Sequence, residues 1–545
     1  MKQEYYLGLD LSTQSLTATA IDLQHQELIT HALNYDACYS RYGTEGGVII
    51  SDDPRVVHAN PEMWIEALDD LFAWLAGKNI PPQTRAISIS AQQHGTVYLN
   101  SRAKALLSEM DSSGSMLHQL KGIFSRKTCP VWMDSSTSEE CSEITQTLGG
   151  DLKVVQLTGS VATERFAGPQ IRKFWKESRD SYRRTEHITL ISAFITSLLT
   201  GYFSPIDPGD GLGTNLADIH LKDWDSKALE AASPGLFLKL PPLLKKDKVL
   251  GRVSNYLVRR YGFSPDTHVI NGSGDNPCSL VGLGLLGDPT CHAISMGTSD
   301  TYFGYLPRIQ KENRSTGHIF GTADGRYMFL VCFKNGNLAR DQIRRAYSLD
   351  WKRFSDILMS TPPGNNGRLM LAYPLPEITP QILKPGIHRF GGLSPDDPMG
   401  NVRAVFEGQA MAFYLHTHWT GERPKRILAT AGASENQGLL KVIAQVFQIP
   451  VATLAVKESA ALGAAFRAAH ASLNLQGIPI KWKTLFRRFI GDSGSDVIYP
   501  DSSTAGIYHG ENGLLQVYSA CESCIRGLGG PPDREIEAFR RKFVA

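Results

Sequence analysis

Two stretches far apart in this 545-residue chain repeat one uncommon pattern: an apolar strand, a turn of small hydroxyl-bearing residues, and a strand that returns at once. The first is "YLGLDLSTQSLTATAI" (6–21) and the second "CHAISMGTSDTYFGYL" (291–306). Hairpins usually turn on Asn-Gly or Asp-Gly. A turn of Ser, Thr and Gln can instead bond its own backbone, or it can cradle phosphate, with Asp10 at the end of the first strand holding a metal ion. The recurrence argues for a duplicated architecture with a ligand cleft between the copies. Length agrees, since one hydrophobic core does not serve a chain of this size.

Around the hairpins, hydrophobic alternation predicts strands at 5–10, 15–23 and 27–33. A helix is expected from Pro61, behind Asn60, to Gly77, burying Trp64, Ala67, Leu68, Leu71, Phe72 and Leu75. "RAISISA" reads as a strand leading into "QQHG". After "YGFSPD" the pattern restarts: "THVINGS" is a strand and "NPCSLVGLGLL" a helix. "RILATAGASENQGLLKVIAQVF" reads as strand, glycine turn, helix, and "ESAALGAAFRAAH" as a helix whose small residues let a neighbour come close. The run "ITLISAFITSLLTGYF" (188–203) is expected to be a buried helix, and the Pro- and Gly-rich 361–401 an irregular excursion. Together these predict an α/β protein of two domains, 1–264 and 265–545, with mixed sheets flanked by helices.

Several functions are disfavoured. With 56 basic and 54 acidic side chains the net charge is +2, which gives no electrostatic case for nucleic acid. The apolar run 188–203 is too short and too interrupted to span a membrane, and the first residues lack a signal-peptide pattern, so the cytoplasm is the expected compartment. Eight scattered cysteines suit reduced thiols, and the C-x-x-C of Cys521 and Cys524 lacks the second pair a zinc site needs. "GLGLLG" (282–287) has dinucleotide-fingerprint spacing, but its glycines end a helix and precede a strand, the reverse of what that motif requires.

Two of the remaining polar motifs, "GSGDNP" and "SAQQHG", sit where strands end. In "GSGDNP" (272–277), Asp275 or Asn276 caps a helix, or Asp275 serves as a general base toward a substrate hydroxyl. "SAQQHG" supplies His94, "VWMDSS" Asp134 beside Trp132, and "ERFAGPQI" Arg165. Gly432 opens a turn where backbone can approach a flat ligand.

Taken together, "GLDLSTQS", "SMGTSDT", "GSGDN" and "LATAGASENQ" resemble the phosphate, catalytic and adenosine segments of the FGGY-type sugar kinases. The resemblance runs from about residue 5 to 470 and implies two actin-like, ribonuclease H-like domains. It implies ATP and Mg2+ as cofactors, and transfer of the γ-phosphoryl group to the terminal hydroxyl of D-xylulose, giving the 5-phosphate. By residue, it implies Asp275 as base, and His94, Asp134, Arg165, Asp275 and Asn276 around the sugar. Asp10, Thr13, Gln14, Gly297, Thr298, Ser299, Trp351, Gly432 and Asn436 would face the nucleotide, with Asp10 and Asp275 near the metal. The expected partners are small molecules only, for a monomer or homodimer. A kinase of another ketose or polyol, or a catalytically silent nucleotide-binding member, are the rival expectations. Ala431 departs from the family pattern, in which two consecutive glycines are common.

Overall fold

The computed structural model describes residues 3–310, 316–454, 458–490 and 495–544. They form two compact units whose division is not a single cut at 264/265. The first comprises 1–287, 311–328 and 458–492, and the second 288–310, 329–457 and 493–545.

The first unit is built on a mixed sheet. Strands β1 (Tyr5–Leu11), β2 (Ser15–Asp22) and β3 (Glu27–Asn34) run as an antiparallel meander. On the other side, β1 pairs in parallel with β4 (Thr84–Ala91), followed by β6 (His268–Ile270) and β5 (Val249–Arg252), giving the order β5-β6-β4-β1-β2-β3. The short strand β7 (Ser273–Gly274) extends the parallel pairing with β4. The helix Pro61–Gly77 forms as its sequence dictates. Asn60 Oδ1 accepts from the Glu62 amide at 2.9 Å, Pro61 fills the first turn, and Trp64, Leu68, Leu71 and Phe72 are buried in the core.

The cut at 264/265 fails for a physical reason. β6 and β7 belong to the first sheet by register, and the helix Ser459–Leu475 returns to cover it. That helix lies so close to β1 that a Cβ on Gly8 would come within 2.0 Å of the Ala461 carbonyl oxygen. Gly463 sits against the Cys278 carbonyl, where a Cβ would come within 1.9 Å. The small-residue face of "ESAALGAAFRAAH" is therefore a packing surface for a strand and a helix at near-backbone contact.

The second unit repeats the plan. β8 (Cys291–Met296) and β9 (Asp300–Leu306) form the second hairpin, and β8 pairs in parallel with β11 (Arg426–Thr430) as β1 does with β4. With β10 (Tyr327–Phe333), β12 (Val451–Thr453) and β13 (Ser495–Ile498) the order is β10-β9-β8-β11-β12-β13.

Two expectations need correction. The run 188–203 is not all helix: Thr185–Leu190 is a strand paired with Thr96–Asn100, and the helix is Ile191–Thr200. A short apolar run carries no period that separates the two states. The stretch 361–401 is not wholly irregular, because Leu369–Tyr373 and Gly386–Phe390 pair antiparallel, and the following helix starts at Pro398. Among the described residues no helix is long and apolar enough to cross a membrane.

Candidate active site

Parallel pairing places the reactive side chains. Asp10 on β1 is level with Ser90 on β4, and Ser90 in turn is level with Ser273 on β7. The carboxyl ends of three neighbouring parallel strands thus deliver Asp10, the "QQHG" segment and the start of helix Asp275–Gly282 to one edge, where open α/β sheets bind ligands.

Asp10 is 4% exposed and forms no ion pair among the described residues; Ser12 and Ser90 hydroxyls donate to its two oxygens, each at 2.5 Å. Burial pushes its carboxyl above the usual range, and the two hydroxyl bonds oppose that shift. Asp275, the first helical residue, accepts from the Asn276 amide at 2.9 Å and from Asn276 Nδ2 at 3.0 Å. Burial, and then the nearby charge of Asp10, push its carboxyl up to about 7. A carboxylate poised near neutrality is suited to general base chemistry. Asn276 Nδ2 also donates to Gln93 Oε1 at 2.8 Å, which holds Gln93 at the same edge.

His94 adopts φ 72°, stacks on Phe166 with centroids 4.3 Å apart, and places Nδ1 3.0 Å from the Gly213 carbonyl. A carbonyl only accepts, so the proton lies on Nδ1 and Nε2 is an acceptor. Burial and the Arg165 charge push its pKa well down, so the ring stays neutral. Arg165 lies beside it, with Nη2 3.4 Å from His318 Nε2.

Asp134, expected beside the sugar, sits within a set of protein donors. It is 1% exposed, and its oxygens already accept from the Val57 amide (2.9 Å), the Ser136 amide (3.0 Å), the Ser136 hydroxyl (2.7 Å) and Gln170 Nε2 (2.8 Å). It ties three segments together, among them the loop that carries Trp132. The Trp132 indole N–H donates to Thr13 Oγ1 at 2.8 Å, joining that loop to the first hairpin turn. Gln14 is exposed on the same turn, and its carbonyl accepts from the Tyr35 amide at 2.9 Å.

One residue escaped the sequence reading. Asp210, within "DPGDGLG", is buried, accepts from the Ser192 hydroxyl through Oδ2, and leaves Oδ1 without a partner. A Cβ on Gly274 would lie 2.7 Å from that oxygen, so Asp210 sits directly beneath the residue preceding Asp275. Burial, with the charges of Asp207 and Asp275 adding to it, pushes its carboxyl up to about 8. An Asp between glycines gives no local sign of such a place.

In the second unit, Gly297, Thr298, Trp351, Gly432 and Asn436 line one cavity of about 820 Å³, with Asn337, Lys352, Ser355 and Asp356. Trp351 is 38% exposed, with the Arg344 guanidinium 5.1 Å from its ring centre. Lys352, Ser355, Asp356 and Met359 recur at helical spacing behind Trp351, a signal that the helix Trp351–Ser360 turns this face to the cavity. Asn436 Oδ1 accepts from the Leu439 amide at 3.1 Å and caps the helix Gln437–Phe447. The turn of the hairpin is fixed from behind: the Asn337 amide donates to the carbonyls of Gly297 (3.2 Å) and Thr298 (3.0 Å). The Gly297 amide is itself given to the Ser299 carbonyl at 3.2 Å, so Thr298 and Ser299 are the better candidates for a phosphate cradle.

Two family models match: the N-terminal domain of the FGGY family of carbohydrate kinases over residues 126–282, and the C-terminal domain of that family over 292–472. The chain belongs to the FGGY family of carbohydrate kinases. Its relatives include a xylulose kinase of Rattus norvegicus, 40% identical over 85% of this chain and 88% of that protein, and xylulose kinase 2 of Arabidopsis thaliana, 39% identical over 85% and 87%. Among solved structures, a ligand-bound xylulose kinase from Lactobacillus acidophilus superposes with a TM-score of 0.79 at 18% identity, covering 96% of this chain and 98% of that one. A gluconate kinase from the same organism gives 0.79 at 19% identity, covering 98% and 100%. The two-domain actin-like fold of FGGY sugar kinases is thus shared, and equal scores for two sugar specificities mean that fold alone does not select the sugar.

The first edge also suits a divalent ion. Among the described residues no cluster of three or more His, Cys, Asp or Glu side chains converges on one point. Magnesium does not need one, because it keeps several waters and takes one or two carboxylates. Asp10, desolvated and without an ion pair among the described residues, fits that demand.

Proposed function

We propose that this chain phosphorylates D-xylulose with ATP, giving D-xylulose 5-phosphate and ADP. The observation that carries the reading is Asp275: a carboxyl held near pKa 7 at the strand edge, hydrogen-bonded to Asn276 and next to Asp10, which has no ion pair among the described residues. Extensive identity to xylulose kinases of animal and plant origin supports the choice of sugar.

In this reading Asp275 takes the proton of the terminal hydroxyl as that oxygen forms its bond to the γ-phosphorus, and the bond to the β–γ bridging oxygen breaks to release ADP. His94 Nε2 and Asn276 Oδ1 accept hydrogen bonds from the remaining hydroxyls, while Arg165 and Gln93 donate to sugar oxygens. Asp134 keeps the Trp132 loop in place. The amides of Thr298 and Ser299 hold phosphate oxygens, with Trp351, Gly432 and Asn436 around the nucleotide. Asp10, and Asp275 beside it, would hold a nucleotide-bound magnesium ion, directly or through water, and such an ion supplies charge neutralisation at the phosphates. Phosphoryl transfer leaves the protein mainly positioning and electrostatic work.

The test is sugar-dependent ADP release with magnesium-ATP, offered D-xylulose, L-xylulose, D-ribulose, L-ribulose, glycerol and gluconate. A strong preference for D-xylulose is expected. Preference for gluconate or another sugar would keep the kinase and overturn the substrate.

A further inference from the structure

The first unit contains another cavity, of about 460 Å³, whose lining includes none of the residues set around Asp10 and Asp275. Ser125, Arg126 and Lys127 form one wall. The other is the corner at which helix Ala167–Glu177 gives way to the helical turn Arg179–Arg184, contributing Ser178, Ser181 and Arg184. Phe124 and Phe174 add apolar surface, and Glu177 is the sole carboxylate.

The cations of this wall differ from those around them. Nearby, Lys176 bonds Glu139, Glu140 and Glu143, Arg172 bonds Glu143, and Arg183 bonds Asp180. Arg126, Lys127 and Arg184 form no ion pair among the described residues. Arg126 lies against the rings of Tyr98 and Phe174, 5.1 and 4.8 Å from their centres, with Nη2 3.4 Å from His58 Nε2 and Nη1 without an acceptor. Burial and the Arg126 charge push the His58 pKa down to about 4, so that ring adds no charge and cannot replace an anion. Arg184 reaches only the Ser181 hydroxyl, at 3.1 Å.

Three cations against one carboxylate, with the Ser178 and Ser181 hydroxyls beside them and the Ser125 hydroxyl given to Thr185 Oγ1 at 2.7 Å, make a site for a dianion. A phosphate monoester offers three acceptor oxygens, which the flat fork of an arginine and single hydroxyl donors can share. The volume lies in the range of small-metabolite pockets, and the two phenylalanines accommodate the carbon skeleton that carries the phosphate. We propose that this cavity binds the phosphomonoester of a small metabolite, at a place separate from the residues that react.

The experiment is calorimetric titration of the full chain with ribose 5-phosphate, and with ribose as the control that lacks the phosphate. Wild type is compared with the double variant K127E/R184E, whose substitutions fall on exposed side chains outside the core. Saturable binding of ribose 5-phosphate but not ribose is expected, weakened about tenfold or more in the double variant. Sugar-dependent ADP release without added phosphate ester should be the same in both proteins. Equal affinity in wild type and double variant would overturn the proposal, since the ester would then be held elsewhere, and so would absence of saturable binding to wild type.

Discussion

The two hairpins have the same shape and opposite electrostatics. In the first, Asp10 is desolvated, accepts from the hydroxyls of Ser12 and Ser90 with no ion pair among the described residues, and raises the pKa of its neighbour Asp275. In the second, Asp300 is equally buried but receives both arms of Arg340, Nη1 to Oδ2 at 2.6 Å and Nη2 to Oδ1 at 2.9 Å. Burial raises the Asp300 carboxyl, and the charge of the Arg340 guanidinium is what chiefly opposes that rise. Arg340 also bonds Gln409 at 3.0 Å, and its helix places Asn337 behind the Gly297–Thr298 turn. One copy therefore leaves a carboxylate available for a cation and a proton, while the other neutralises its carboxylate to brace a turn. The hairpin plan recurs, and carboxylates at different places on it, Asp10 on the first strand of one and Asp300 on the second strand of the other, do different work.

That division can be broken at four positions, taken from the largest effect to the smallest. Asp275→Asn keeps the hydrogen bonds of the site but cannot take a proton. Its kcat should fall by roughly 10² to 10⁴, with sugar affinity measured by calorimetry within a few-fold of wild type; near-normal turnover would remove Asp275 as the base. Arg340→Ala strips the second hairpin of its counter-charge and leaves Asp300 buried and alone. A loss of about 3–5 kcal/mol in unfolding free energy is expected, and in the protein that remains folded the KM for ATP should rise while that for sugar holds. Unaltered denaturation midpoints would contradict the bracing role.

Asp10→Ala should weaken the magnesium dependence of turnover by roughly 10- to 100-fold, the scale seen when metal-site partners are lost, with little change in sugar affinity. A defect confined to sugar KM would reverse the assignment of the first hairpin. The smallest effect is at Ala431, which adopts φ 64° and ψ −178°, a conformation almost confined to glycine. Ala431→Gly relieves roughly 1–3 kcal/mol of strain against up to about 1 kcal/mol of extra chain entropy. Thermal unfolding should register a net gain of about 1 kcal/mol, and a lower melting temperature would show that the alanine is not strained.

Much of this was legible from residues close together in sequence. The three opening strands, the Asn60-capped helix and both hairpins follow from period, capping and turn chemistry, whereas the grouping of Trp351, Gly432 and Asn436 was implied only by the resemblance to the sugar kinases. What failed depended on contacts between distant segments. Nothing local in "VWMDSS" says that Val57 and Gln170 fold against Asp134. Asp210 gains its place only when Gly274 arrives above it. The same holds for the division into units: nothing local in "ESAALGAAFRAAH" says that its small residues meet Gly8 and Gly282, in a strand and a helix far away along the chain.

The most direct test of Asp275 as the base is the pH dependence of kcat/KM for the sugar in wild type. The active form is the carboxylate, and its pKa is raised, so activity is complete above the raised value and is lost as pH falls through it. A single limb descending below about 7 is expected, displaced downward in Asp10→Asn because the Asp10 charge is one of its two raising causes. Full activity persisting to about pH 5, near the range of an ordinary carboxylate, would contradict it.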